Sequence, residues 1–545
     1  MTKRFFVACL ISAAISANMF PQVLKSPEQF LGYSPGEQFT MQHTVTDYFR
    51  HVADASPVAD YLQYGETWEG RPLSVCIVSS PENLAKLEQL RLANLQRTGL
   101  ADGKPEIESL PIVWLAYSVH GSEPAGAEAS MKVLHTLVTE AWDGAGEWLK
   151  NMIIIIDPCQ NPDGRDLFTL RYMRAQGWPP SSDPNAWEHN QAWPSARLNH
   201  YMFDLNRDWS WHVQKETLAR LKLYNSFMPH VHADFHEMSS GSTYFFPPGA
   251  EPWHEVITPW QKEFHALTGR KASELFDASF RLYFTKDNFD LFCPSFGDTW
   301  PLFNGAMGFT MEQGGGAQEN REKLLNEFYA FFKNSAEKPD FKYKTIIIKG
   351  TADAASMASL KKLLENNQIS FETPRVTGKK IAAYDYRTDS EGTIAVEKND
   401  ILISAYQPQG RLMQVLFEPD SRSSDSVSYD LTAWALPYVY NIEAYASTER
   451  LPVADGPAIA DAPAENLSDT VRPYAYAASM SGFNELKFMA QLYKSGLNVR
   501  FSLKPFVAAG TSFSRGSVIV ARGDNRNNDL FDAKVRAAAA SSNIR

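Results

Sequence analysis

The chain has 545 residues, of which 44% are hydrophobic, 12% aromatic and 21% charged. That balance fits a globular protein of roughly two to four domains and excludes disorder as the dominant state. Lys and Arg number 52 against 63 Asp and Glu, a formal charge of -11, which argues against a nucleic-acid partner because backbone binding needs a basic surface.

Lys3 and Arg4 precede an apolar run over residues 5–17, broken only by small serines. This is the pattern of a secretory signal peptide, so residues 1–17 are expected to be removed and the mature protein to be exported, periplasmic or extracellular. No internal run reaches about 18 apolar residues, so no membrane span is expected in the mature protein. Cys9 would leave with the signal, and Cys76, Cys159 and Cys293 then allow at most one disulfide. There is no CxxC pair, which excludes a cysteine zinc site.

Residues 111–119 (PIVWLAYSV) spell a buried strand. Residues 126–141 follow helical spacing, with Met131, Val133, Leu134, Leu137 and Val138 on one face. Residues 152–156 (MIIII) are apolar on both faces, as a strand covered on both sides must be. Residues 230–235 and 308–311 are further candidate strands. This alternation predicts an α/β fold, a mixed, mostly parallel sheet with helices on both faces, closed by a helix over 320–337. A smaller α/β module is expected over 339–451, with a strand at 345–349, a helix at 354–366 and a strand at 369–371. Residues 452–470, rich in Ala, Pro and Asp, read as a linker. Residues 471–545 read as a partial α/β module: a helix at 484–495, strands at 498–503 and 517–521, and a helix at 531–541. No strand follows that last helix, so truncation is expected.

The strongest chemical signal is His120-Gly121-Ser122-Glu123, directly after a buried strand. Ligands of open α/β sheets collect at the carboxyl edge of the strands. A His and a Glu leaving a strand there can face one ion, and a catalytic zinc takes three protein ligands and keeps one open position. By itself the motif also fits an ordinary polar surface loop. The third ligand must come from elsewhere. His230, His232, Asp234 and His236 alternate along one strand face. His236 lies at the carboxyl end and is the favoured ligand, while His230 and His232 lie lower and read as core or edge histidines. Glu312 ends the short apolar strand GFTM and is followed by Gln313 and three glycines. An ionisable group there is costly unless used or paired, so Glu312 is either a general base or a salt-bridged strand end.

Taken in chain order, HGSE (120–123), NPDG (161–164), RYMR (171–174), DLNRDW (204–209), DFHE (234–237) and FTMEQ (309–313) together resemble the zinc carboxypeptidases of the M14 family, over about residues 40–335. The resemblance implies a zinc carboxypeptidase-like catalytic domain over 18–338 that binds one Zn2+ per chain. It implies zinc ligands His120, Glu123 and His236, a general base at Glu312, and Asn206 and Arg207 as the grip on a terminal carboxylate. It also implies Arg174 as the oxyanion arginine, with Arg171 as its competitor, and Asp204 as the aspartate that orients a zinc histidine. The implied partner is a peptide or protein with a free C-terminal carboxylate. Asp298 lies near the position that sets the specificity pocket, where it would favour a basic C-terminal residue.

The sequence departs from the family at two places. Ser122 stands where an Arg often lies between the ligands. Residues 288–300 hold no Tyr in the region of the family's mobile tyrosine, leaving Phe292 or Phe296 in its place. Two alternatives stand beside the carboxypeptidase: a same-fold zinc amidohydrolase acting on peptidoglycan stem peptides, and a non-catalytic binding protein. HExxH is absent, which disfavours the thermolysin-like class.

Overall fold

The computed structural model describes residues 23–544 except 142–143, 184, 191, 239–241, 312–320, 352–353, 426, 431–432, 455–471, 481 and 543. The expected signal segment, Glu312 and most of the expected linker lie outside the described residues.

The first sheet has six strands: β1 (Ala59–Glu66), β2 (Pro72–Val78), β3 (Ile112–Tyr117), β4 (Ile153–Asp157), β5 (Val231–Phe235) and β6 (Met307–Met311). Their order across the sheet is β1-β2-β4-β3-β5-β6. The pairs β4–β3, β3–β5 and β5–β6 are parallel, and β1–β2 and β2–β4 are antiparallel. The sheet is therefore mixed and mostly parallel, as the alternation predicts, and extended by a hairpin that the alternation did not reveal. β1 is an edge strand whose residues are mostly exposed or half-exposed, so its sequence carries little apolar pattern.

The isoleucines of β4 show why the sheet sits between helices. Ile153 and Ile155 join one apolar cluster, with Leu221, Tyr224 and Phe227 of the helix Lys215–Phe227. Ile154 and Ile156 join another, with Val45, Phe49 and Val52 of the helix Gln42–Ala55 and Met131 and Leu134 of the helix Ala125–Val138. Alternate side chains of one strand point to opposite faces, and burying both requires cover on both sides.

The second sheet has five strands, Thr345–Ile348, Lys380–Asp385, Ser390–Ala395, Ile401–Ser404 and Ala444–Ser447, all paired antiparallel. The expected helix at 354–366 is present as Ala354–Asn366. The expected strand at 369–371 is not: the chain there makes one isolated bridge, Glu372 with Leu402. The apolar cluster of the first sheet continues into this module through Trp300, Leu360, Leu412 and Leu416. The last unit holds a three-stranded antiparallel sheet packed on the helices Phe483–Lys494 and Phe531–Ser541. The strand expected at 498–503 shrinks to Arg500–Phe501. No described helix is long and apolar enough to cross a membrane. Cys76, Cys159 and Cys293 are buried free thiols.

Candidate metal centre

Because β3, β4 and β5 run parallel, the residues that follow them emerge at one edge. His120 lies just past β3, Asn161 just past β4, and His236 directly after β5. Close backbone approach locks the first two loops together. A Cβ at Gly121 would lie 2.1 Å from the Gly164 carbonyl carbon and 2.3 Å from the Arg165 nitrogen, so only glycine fits. Asn161 caps the helix Pro162–Ala175, its side chain accepting from the Gly164 N–H at 3.0 Å with Pro162 in the first turn. The same Asn161 amide donates to the Arg197 carbonyl at 3.1 Å. NPDG thus positions both the HGSE loop and the backbone of Arg197. Arg165, fully buried, donates to the Pro124 carbonyl at 2.8 Å and pairs with Glu128 at 2.7 Å, fixing the chain just after Glu123.

One nitrogen of His120, one of His236 and one carboxylate oxygen of Glu123 lie within 4.8 Å of one another. His120 Nδ1 is 2.7 Å from Glu123 Oε1, and His236 Nδ1 is 3.1 Å from Glu123 Oε2. The far nitrogen of each ring meets an aspartate: His120 Nε2 lies 3.1 Å from Asp204, and His236 Nε2 lies 3.0 Å from Asp234. Carboxylates behind ligating imidazoles fix ring orientation and raise donor strength. The donor set of two imidazoles and one carboxylate fits a zinc ion, with Asp204 and Asp234 holding the rings.

The electrostatics follow from this crowding. Burial would raise the Glu123 carboxyl, but His236 and His120 hold it well below the usual carboxylate range. Burial would lower the His236 imidazole, but Asp234 and Glu123 outweigh it and leave it well above its ordinary value. Burial would likewise raise the half-buried Asp204 carboxyl, but His120 and Arg197 hold it low.

Of the expected residues, His120, Glu123, His236, Asp204 and Asn206 stand together. Asn206 Nδ2 lies 3.3 Å from His236 Nε2, and its Oδ1 accepts from the Gly297 N–H at 2.7 Å. Arg207 is adjacent but already paired, its Nε donating to Asp430 at 2.6 Å. His232 is fully buried, edge-on to Trp209 at 5.3 Å, and takes no part in the cluster. His230 accepts from the Ile112 N–H at 3.0 Å and is a core residue.

Two positions need correction or relocation. Arg174 is exposed in the last turn of the helix Pro162–Ala175 and makes none of the contacts to the His–Glu–His cluster. Arg171 lines the cleft beside Glu123, but its Nη1 is taken up by the carbonyls of Ala192 and Pro194, each at 2.6 Å. The guanidinium at the site is that of Arg197, which sequence reasoning missed: Nε donates to Asp204 at 3.0 Å and Nη1 lies 3.5 Å from Glu123. Its one sequence signal is its position seven residues before Asp204, within a loop that has no periodicity. Asp298 is 6% exposed and accepts from the Thr310 hydroxyl at 2.9 Å. Burial and the neighbouring Asp234 push its carboxyl up to about 6. It does not line the cleft of about 770 Å³ beside Glu123, whose walls include Phe39, Phe168, Arg171, Tyr172 and Glu237.

Residues 45–237 match the family model described as zinc carboxypeptidase. Over 133 residues the chain is 30% identical to probable carboxypeptidase 2 of Arthroderma benhamiae, covering 24% of this chain and 20% of that protein. Carboxypeptidase 2 of Trichophyton rubrum is 29% identical over 133 residues, covering 24% of this chain and 19% of its own length. The matched stretch thus spans about a fifth of these relatives. A metallo-carboxypeptidase from Burkholderia cenocepacia superposes with a TM-score of 0.34 at 16% identity, covering 53% of this chain and 67% of that one. Carboxypeptidase A from Helicoverpa armigera gives 0.35 at 16% identity, covering 53% and 71%. Likenesses that loose add no weight, and what the sequence match shows is that residues 45–237 are similar to the zinc carboxypeptidases.

Proposed function

We propose that this protein is a zinc-dependent metallocarboxypeptidase that hydrolyses the C-terminal peptide bond of peptides or proteins. The observation that carries this reading is the convergence of His120, Glu123 and His236 at the carboxyl edge of the parallel strands. These three residues would hold the ion. When bound, zinc supplies Lewis acidity toward the scissile carbonyl and a lowered pKa for the attacking water. Glu312, directly after β6, takes the proton from that water and returns it to the leaving amine. Arg197 faces the charge that develops on the carbonyl oxygen, the role the family resemblance first suggested for Arg174. Asp204 and Asp234 keep the two imidazoles oriented. Asn206 and Arg207 would grip the substrate's chain end, the role that the family resemblance implies for them. The basic, apolar N-terminal segment supports export to the periplasm or the medium.

The test is metal analysis combined with peptide-end profiling of the wild type and Glu312→Gln. One zinc per chain, release of C-terminal residues by the wild type, and a variant that keeps zinc but loses about 10²–10⁴-fold in rate are expected. A variant that cleaves at the normal rate removes Glu312 from its role. A second reading, a same-fold amidohydrolase acting on peptidoglycan stem peptides, draws on one observation: Arg207 is already engaged by Asp430. Muropeptide cleavage without residue release from peptides would decide for it.

A further inference from the structure

The cleft of about 770 Å³ opens beside Ser122 and Glu123, and neither Asn206 nor Arg207 is among its walls. Asn206 faces His236 and Gly297 instead, and Arg207 lies over the Phe296 ring at 4.4 Å. Glu123 therefore stands between the grip on one side and the cleft on the other. A peptide with its chain end at Asn206 and Arg207 and its scissile carbonyl at the metal centre has its upstream residues on the cleft side.

One wall comes from the segment before the helix Gln42–Ala55, and buried polar contacts hold it in place. The Thr40 N–H and hydroxyl donate to Glu128 at 2.7 and 2.8 Å, Arg165 donates to the Thr40 carbonyl at 3.0 Å, and the Gln42 N–H donates to Asp166 at 2.9 Å. Next to this anchor, Phe39 stands edge-on to Phe168 at 5.1 Å and to Tyr172 at 4.8 Å, both on the helix Pro162–Ala175. All three rings are half-buried and face the cleft. The charged groups around them are engaged within the protein. Glu188 accepts the Gly177 and Ser181 N–H groups, each at 2.6 Å, Glu128 is bound to Arg165, Lys132 faces Glu28 at 3.7 Å, and Glu237 accepts the Ala125 N–H at 3.0 Å. Arg171 Nη1 serves two backbone carbonyls. What the cleft holds out to an arriving side chain is ring surface. A charged side chain would lose water there for little return, whereas an aromatic one buries a large area and adds edge-to-face contacts.

We propose that Phe39, Phe168 and Tyr172 form an upstream subsite that selects an aromatic side chain on the N-terminal side of the scissile bond. The proposal rests on the reading of the metal centre as a zinc carboxypeptidase and narrows its substrate class to peptides with an aromatic residue shortly before the C-terminal one. It gives the segment around Phe39 a part in specificity.

The test uses the zinc-loaded full chain and peptides that end in the residue released fastest in peptide-end profiling. Phe, Ala or Asp is placed in turn at each of the three positions before the scissile bond, and kcat/KM for release is measured. At one of these positions the wild type is expected to prefer Phe over Ala about tenfold and to disfavour Asp. Phe39→Ala and Tyr172→Ala, which remove rings from two different elements, are each expected to cut the Phe-to-Ala ratio to about threefold or less. The ratio is taken within each variant, so a general loss of activity cancels, and zinc content shows that each variant keeps its site. Calorimetry of the shortened product peptides, with Phe or Ala at the same position, is expected to show the same order of affinity and the same response to the two substitutions. Hydrolysis with no aromatic preference at any position, or a preference unmoved by both variants, overturns the subsite and leaves the carboxypeptidase reading standing. No release from any peptide overturns that reading and the proposal with it.

Discussion

The six-stranded and five-stranded sheets share a continuous apolar cluster yet are wired differently. In the first, β4, β3, β5 and β6 run parallel, so the loops after them gather at one edge. In the second every pairing is antiparallel, and successive strand ends alternate between edges. Among the described residues, three metal-capable side chains converge at the first sheet and none do at the second. Parallel wiring concentrates polar loop residues in one crevice, and antiparallel wiring disperses them. The second module reaches Arg207 through one loop residue, Asp430, rather than through a sheet edge.

The comparison breaks most visibly at the candidate metal ligands. His236→Ala is expected to lose bound zinc and reduce hydrolysis to background, read by elemental analysis and residue release, because a three-ligand site does not tolerate the loss of one. Retained stoichiometric zinc would mean that the crevice is not the metal centre. Next comes Arg197→Ala, expected to lower kcat about 10²–10³-fold with zinc unchanged. The same change at exposed Arg174 should cost little, and the reverse ranking would restore Arg174 to the oxyanion role.

The shared core is tested by Leu416→Ala in the second module. Leu416 is fully buried in the cluster that also holds Trp114 and Trp300. The change is expected to cost about 2–5 kcal/mol in chemical unfolding and to lower the stability of both sheets in one transition. Two separate transitions, with the zinc-binding part unmoved, would show that the sheets are energetically independent.

The smallest effect is a pH slope. Burial pushes the Asp157 carboxyl at the end of β4 up to about 7, against the pull of the Arg220 guanidinium. The folded protein therefore keeps a proton that the unfolded chain releases near pH ~4. From that point up to the folded value the native state binds more protons, so stability falls as pH rises and levels off above. Asp157→Asn removes this term and should gain on the wild type across that window, measured as the difference in unfolding free energy at a series of pH values.

The legible part of the fold was the part written in local pattern. MIIII could only be a central strand, and the HGSE motif after PIVWLAYSV puts two candidate ligands at its carboxyl end. Height on the strand favours His236 over His232, and His232 lies in the core against Trp209. Arg197 was illegible for a physical reason. It sits on an irregular loop, and its reach to Glu123 depends on Asn161 holding its carbonyl from another part of the chain. The Arg207–Asp430 pair joins residues more than two hundred positions apart, and no periodicity or spacing encodes such a contact. β1 escaped because an exposed edge strand buries too little to leave an alternating signature.

The touching backbones at Gly121 and Gly164 have a consequence for how this site can vary. A methyl group at either position would act as a wedge: at Gly164 its carbon would lie 2.5 Å from the Ala196 carbonyl oxygen. Prying the loops apart would move His120, Glu123 and Arg197 at once, though none of the three would itself be altered. The spacing of the centre is thus set by two missing atoms, and a screen confined to residues with reactive groups would never find them.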